Sequence, residues 1–206
     1  MQKADYKDAT YTLIAGIAKA MGNPHRLEIL ELLINGAKNV EAIAKETRLS
    51  VANASQHLQL LKQHKLVTIR KEGTTIYYSL SNESIVHIIN NLHTTAKSQL
   101  PELGMTIRQF RSSYGSNKHS IDQLPEEDHI LLDLRSSSEF NHAHKRGAIN
   151  IPIQNLNTAM RQMDKGKMIV AYCRGELCTY ADEAVKVLRQ AGFNAVRLNE
   201  PVLEIA

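Results

Sequence analysis

The sequence predicts two domains of different class: a mainly α domain closed by a β-hairpin, then an α/β domain with a parallel sheet. Three observations carry this. The chain has 206 residues, 43% apolar and 22% charged, enough for two buried cores of roughly 100 residues each. Its hydrophobic pattern is helical in the first half, then becomes short apolar runs alternating with helical segments. Residues 1–118 hold 15 Lys and Arg against 9 Asp and Glu, a net of +6, and the remainder hold 10 against 12, a net of −2. A basic half joined to a mildly acidic one points to a polyanion-binding part and a part with another task. No stretch approaches the roughly 18 uninterrupted apolar residues of a membrane span, and Met1-Gln2-Lys3-Ala4-Asp5 opens on polar residues without a signal-peptide core. A cytoplasmic location is expected.

The first half reads as helices and then a hairpin. A helix over Lys7–Met21 is broken by Gly22-Asn23-Pro24, with Asn23 as cap and Pro24 opening the next helix. That helix turns Leu27, Ile29, Leu30, Leu32, Leu33 and Ile34 to the core and ends near Asn35-Gly36. Val40, Ile43 and Ala44 mark a third, short helix. Ser50 caps a fourth, in which Ala54, Leu58 and Leu61 recur at helical spacing. Leu66–Arg70 and Thr75–Leu80 are β-rich runs joined by Lys71-Glu72-Gly73-Thr74, a hairpin pattern. A last helix over Glu83–Leu100 places Ile85, Ile88, Ile89 and Leu92 on one face. Pro101 and Gly104 interrupt it, and the polar run 111–120 has linker composition.

In the second half, Ile130–Leu134 and Met168–Tyr172 are continuous apolar runs suited to buried parallel strands. Helical segments fall at Asn155–Met163 and Thr179–Ala191, and another strand at Ala195–Leu198. The expected division is a mainly α domain with its hairpin over 1–100, a linker over 101–118 and an α/β domain over 119–206.

Helix, tight turn, helix and hairpin make a winged helix-turn-helix. A capped helix with small polar residues outside can enter the major groove while a basic hairpin reaches phosphates. The candidate DNA-contacting residues are Ser50, Ala52, Asn53, Ser55, Gln56 and His57 on the fourth helix, with Arg70, Lys71 and Thr74 on the hairpin. For His57 the plain alternative is a surface histidine packing locally.

Three segments, Ala20-Met-Gly-Asn-Pro-His-Arg-Leu-Glu-Ile-Leu30, Leu49-Ser-Val-Ala-Asn-Ala-Ser-Gln-His-Leu58 and Gly73-Thr-Thr-Ile-Tyr-Tyr-Ser-Leu80, resemble the ArsR/SmtB family of bacterial repressors over about residues 8–100. The resemblance implies a homodimer built on the first and last helices, binding an imperfect palindrome in promoter DNA. It also implies metal sensing, which these residues do not support. The third helix begins Ala37-Lys-Asn-Val-Glu-Ala42 without cysteine, and His87 is followed at the zinc-site interval by Ser98 and Pro101. His87 and His93 lie six apart, which does not place them on one helix face. No metal and no cofactor are expected.

The two cysteines, Cys173 and Cys178, are separated by four residues. A disulfide closing so short a loop would stabilise little, and two thiols cannot complete a structural zinc site. Such a pair in an intracellular chain is more often redox or catalytic. Tyr172-Cys-Arg-Gly-Glu-Leu-Cys-Thr179 follows a buried strand and opens a helix, so backbone N–H groups and the helix dipole favour an anion there. Cys173 should therefore be a low-pKa nucleophile. Arg174 would hold an incoming anion, with Gly175, Glu176, Leu177 and Thr179 completing the loop.

This loop, with Leu131-Leu-Asp-Leu-Arg-Ser-Ser-Ser-Glu-Phe140, His144-Lys-Arg-Gly-Ala-Ile-Asn-Ile-Pro152 and Ala191-Gly-Phe193, resembles the rhodanese family over about residues 119–200. The resemblance implies that Cys173 carries sulfur as a persulfide and that Asp133, Arg135, Glu139 and His144 are scaffold residues of the site. Two features depart from it. Cys178 stands where thiosulfate-using members have a basic residue, which argues against efficient thiosulfate turnover. Thr179 stands where phosphatase and arsenate-reductase loops need Arg, which excludes that chemistry. The domain also looks trimmed, with a short opening and a tail, Leu198–Ala206, lacking the usual Gly-Gly. Cys178 could resolve a Cys173 persulfide, releasing sulfide, or be an inert first-turn residue.

The resulting expectation is a dimeric transcriptional repressor whose second domain senses polysulfide or low-molecular-weight persulfide through Cys173. The alternatives are a sulfurtransferase localised or controlled by its DNA-binding part, and a repressor whose second domain only supports assembly.

Overall fold

The computed structural model describes residues 2–115, 118, 119, 129–200 and 202. The chain divides into two compact units, residues 1–95 and 96–206.

The first unit holds α1 (Lys3–Met21), α2 (Pro24–Ile34), β1 (Lys38–Asn39), α3 (Val40–Thr47), α4 (Val51–Gln63), β2 (Val67–Glu72), β3 (Thr75–Leu80) and most of α5 (Ser84–Gln99). Each of the helices α2, α3 and α4 starts for a chemical reason. Asn23 Oδ1 accepts from Arg26 N at 3.2 Å, Asn39 Oδ1 from Ala42 N at 2.9 Å, and Ser50 Oγ from Asn53 N at 3.2 Å. The Arg26 guanidinium takes the Lys19 and Ala20 carbonyls left over at the end of α1, locking the α1–α2 corner. Arg48, with φ 56°, ends α3 in the left-handed region, and three residues later α4 begins. Ile29, Leu30, Leu33, Ile43, Leu58, Leu61, Ile85 and Ile89 form one buried core under these helices.

Strands order β1-β3-β2, all antiparallel. Glu72 pairs Thr75, so the hairpin turn is Gly73-Thr74, two residues tighter than the four expected. Gly73 has φ 59°, which a two-residue turn demands and glycine supplies without strain.

The second unit holds α6 (Pro101–Tyr114), β4 (Lys118–His119), β5 (His129–Asp133), α7 (Ser137–His142), β6 (Ile149–Asn150), α8 (Leu156–Ala159), β7 (Met168–Tyr172), α9 (Tyr180–Gln190) and β8 (Ala195–Leu198). The sheet order is β4-β8-β7-β5-β6 and every pairing is parallel. Leu132, Leu134, Ile169, Ala171, Ala184, Val185, Leu188 and Phe193 fill one side of this sheet. Leu131, Val170, Tyr172, Val196 and Leu198 fill the other. Both faces are covered, which is why β5 and β7 read as unbroken apolar runs.

Three readings need correction. Residues 101–114, read as part of a linker, form α6. Pro101 ends α5 but sits at the first position of a new helix, where its missing N–H costs nothing, and Gly115 caps the far end with φ 65°. Leu103, Ile107 and Arg111 recur at helical spacing along its sheltered side. Residues 116, 117 and 120 of the expected linker region lie outside the described residues, as does most of the tail beyond Glu200. Second, Ile88 and Leu92 are 42% and 41% exposed, so the buried stripe of α5 is Ile85, Val86 and Ile89. Third, Asn155–Met163 is a single helical turn, α8, flanked by 3-10 turns rather than one helix.

Candidate functional site

On α4 the buried and exposed sides separate cleanly. Ala54, Leu58 and Leu61 are buried, while Ala52, Asn53 and Gln56 are exposed and Ser55 and His57 half-buried. Ser50 serves as the helix cap, so its hydroxyl is engaged with Asn53 N. His57 packs its ring 5.7 Å from that of His25. Burial, then the Arg26 charge and His25, push its pKa down, so the imidazole is neutral near pH 7. Val51, 48% exposed at the start of α4, also stands on this surface; an apolar residue inside a cap motif gave no sequence signal beyond its position. On the hairpin, Lys71 and Thr74 are exposed. Arg70 is exposed too, but its Nη1 lies 2.7 Å from Glu72 Oε1, which offsets part of its charge.

The cysteine loop leaves the carboxyl end of β7, a central strand, and enters α9. That is where open α/β sheets place ligand sites. Cys173 is buried at the strand end and Cys178 is half-buried across the loop. As a thiol, Cys173 Sγ lies 3.4 Å from the Cys178 carbonyl oxygen. Burial alone would raise its pKa. The Cys178 thiol, the Arg197 charge and the backbone N–H groups of Ala181 and Gly175 outweigh that and lower it to about 7. The Cys178 pKa moves well up, because its proton bonds the Cys173 sulfur, because it is buried, and because a second thiolate beside the first is repelled. The arrangement is one thiolate supported by one thiol.

The charged residues around the loop form buried pairs. Arg174 Nε and Nη2 donate to Glu139 Oε1 and Oε2 at 2.6 and 2.8 Å, and its guanidinium lies over the Tyr180 ring at 5.2 Å. Arg174 thus ties the loop to α7, where Glu139 also closes a capping box with Ser136. Arg135 pairs with Asp133 (Nη2 to Oδ2, 2.7 Å) and donates to the Ala143 carbonyl at 2.7 Å. Of the four scaffold candidates, Glu139 reaches the loop through Arg174, while Asp133 and Arg135 pair with each other. His144 is exposed and stacks on Phe140 at 3.9 Å. The Thr179 hydroxyl donates to Glu183 Oε1 at 2.6 Å, Gly175 has φ 152°, and Leu177 at the loop tip is 46% exposed.

Arg197, Asp182, Arg111 and Lys97 escaped the sequence reading. Arg197 on β8, paired with Asp182 of α9, donates to the carbonyls of Gly175, Glu176 and Cys178. Arg111 of α6 donates to the Glu176 carbonyl at 3.0 Å, and the Glu176 carboxylate pairs with Lys97. A charged residue inside the apolar run Ala-Val-Arg-Leu is the signal that could have found Arg197, since a buried cation must have partners.

Comparison with known proteins agrees with both halves. Residues 21–70 match the model of a Helix-turn-helix domain and residues 117–200 that of the Rhodanese-like domain. The HTH-type transcriptional regulator Rv0324 of Mycobacterium tuberculosis is 34% identical over 205 residues, covering 98% of this chain and 91% of the relative. The nodulation protein NolR of Rhizobium meliloti is 40% identical over 80 residues, 39% of this chain and 66% of the relative. Among solved structures, the homodimeric winged helix-turn-helix DNA-binding domain (fragment 1–100) of Mb0332 from Mycobacterium bovis has 37% identity and a TM-score of 0.45, covering 48% of this chain and 93% of that one. The chain belongs to the family of HTH-type transcriptional regulators related to Rv0324, and joins an ArsR-like winged helix-turn-helix to a rhodanese-like domain.

Proposed function

We propose that this regulator is a dimeric repressor that reads reactive sulfur through Cys173. The observation that carries the proposal is the placement of Cys173 at the carboxyl end of β7 beside Arg197, the Cys178 thiol and backbone amides, which together lower its pKa to about 7. A thiolate attacks the outer sulfur of a persulfide R–S–SH. The S–S bond of the donor breaks, RS⁻ leaves and takes up a proton, and a persulfide remains on Cys173. The Cys178 thiolate then attacks the Cys173 sulfur of that group. The new S–S bond joins Cys173 to Cys178, and the outer sulfur leaves as hydrosulfide. While Cys173 is an anion its hydrogen bond and charge keep the Cys178 proton in place, so Cys178 reacts only after Cys173 has been persulfidated. The polar outer side of α4 supports binding to promoter DNA, with Ala52, Asn53, Ser55 and Gln56 at base edges and Lys71 and Thr74 at phosphates. Exposed apolar residues on α1 and α5, including Leu13, Ile14, Ile88 and Leu92, support dimerisation on those helices.

Arg174 enters this reading differently from the sequence expectation: with donors on both Glu139 oxygens, it braces the loop instead of receiving the anion. Arg197 is likewise held by Asp182. With both guanidinium groups engaged by carboxylates, neither is left to clamp a dianion such as thiosulfate, which favours sensing over thiosulfate turnover. Mass analysis of the Cys173 peptide after polysulfide treatment tests the chemistry. The expected products are Cys173 with one added sulfur and, after Cys178 has reacted, a Cys173–Cys178 disulfide two hydrogens lighter than the dithiol; a free Cys173 thiol after that treatment overturns it.

A further inference from the structure

We propose that Arg197 is the positioning residue of the cysteine loop, gathering the loop carbonyls on its guanidinium so that the loop amides turn toward the incoming sulfur donor. The inference rests on reading Cys173 as the acceptor of sulfane sulfur. Arg197 is buried on β8, 1% exposed. Its Nη2 donates to the Gly175 carbonyl at 2.8 Å and the Glu176 carbonyl at 3.3 Å, and its Nη1 to the Cys178 carbonyl at 3.2 Å. Asp182 holds the same Nη1. One planar fork thus reaches three carbonyls of a single short loop, sharing that of Glu176 with Arg111 Nη2 at 3.0 Å. In a trans peptide the C=O and N–H point in opposite directions. Anchoring the Gly175 and Glu176 carbonyls on Arg197 therefore sends the N–H groups of Glu176 and Leu177 to the opposite side of the loop.

The same cation stands close enough to Cys173 to favour its thiolate. The other titratable or charged groups near that sulfur are Cys178 in the loop and Arg111 on α6, with Asp182 of α9 on Arg197 and Arg174 beside Cys178. Lysine cannot replace Arg197, because an ammonium is a point charge without the fixed fork that holds several carbonyls at once.

The test uses the full chain and two variants, Arg197→Lys and Arg197→Gln/Asp182→Asn, the second removing both charges so that none is left alone. Two quantities are read by mass spectrometry: the pH profile of Cys173 alkylation by iodoacetamide, and the rate of sulfur uptake from inorganic polysulfide. In the wild type the alkylation midpoint is expected near 7. In the double variant it rises by about one unit or more, and uptake at pH 7 slows about tenfold. Arg197→Lys keeps the midpoint near the wild-type value yet still slows uptake several-fold. An unchanged midpoint and uptake in a folded double variant overturns the assignment. If the double variant does not fold, wild-type uptake in Arg197→Lys overturns it. Should the wild type itself take up no sulfur, the sensing reading falls, and the alkylation midpoints still decide the role of Arg197.

Discussion

The pKa of Cys173 is lowered because several weak contributions act together against its burial. The Cys178 proton, the Arg197 charge and two amides stabilise the anion in a place where an isolated thiol would stay protonated. The alkylation rate of Cys173 is therefore expected to rise several-fold from pH 6 to 7 and level off above pH 8, while Cys178 stays slow throughout. A midpoint near the ordinary thiol value of about 8.5 would contradict the loop's electrostatics. Glu139→Gln breaks the buried pair with Arg174, an expected loss of about 3–5 kcal/mol, checked by denaturant unfolding. A loss under about 1 kcal/mol would match a solvent-screened pair instead. Cys173 and its loop were legible because a strand, a cysteine and a helix start follow one another in the chain. Arg197 and Arg111 were not, because their partners lie far along the chain and periodicity says nothing of such pairs. Arg174 was legible as a loop cation but not as the partner of Glu139, 35 residues earlier.

At the scale of elements, α4 shows how a recognition helix is held. Ala54, Leu58 and Leu61 anchor it in the core, so its outer face stays rigid and polar. Leu58→Ala is expected to cost about 2–5 kcal/mol of stability, read as a lowered urea midpoint; a change below about 1 kcal/mol would contradict its burial. Gln56→Ala is expected to leave stability unchanged and weaken promoter binding by about 1–3 kcal/mol, whereas unaltered affinity would remove Gln56 from the interface. Helices and strands with a clean period were readable: the caps Asn23, Asn39 and Ser50 sit where helices begin, although Asn39 was not singled out. Errors arose where one local rule had two outcomes. Pro101 ends one helix and begins another, and α5 presents two adjacent apolar faces of which only one is buried in this unit.

At the scale of the molecule, the two classes of domain were legible from a single change in period, and the charge split marks which of them faces a polyanion. Binding to promoter DNA is accordingly expected to weaken steeply with salt as phosphate counterions are released, and an affinity flat between low and moderate salt would contradict the basic half's role. The relative Rv0324, matched over 98% of this chain, spans both halves together. The decisive measurement is a titration of a fragment of the protein's own promoter with reduced protein, polysulfide-treated protein and treated Cys173→Ser. Treatment is expected to shift the affinity of the wild type about tenfold, or about 1.4 kcal/mol, and to leave Cys173→Ser unmoved. Equal affinities in all three would contradict it, separating sulfur chemistry from DNA binding.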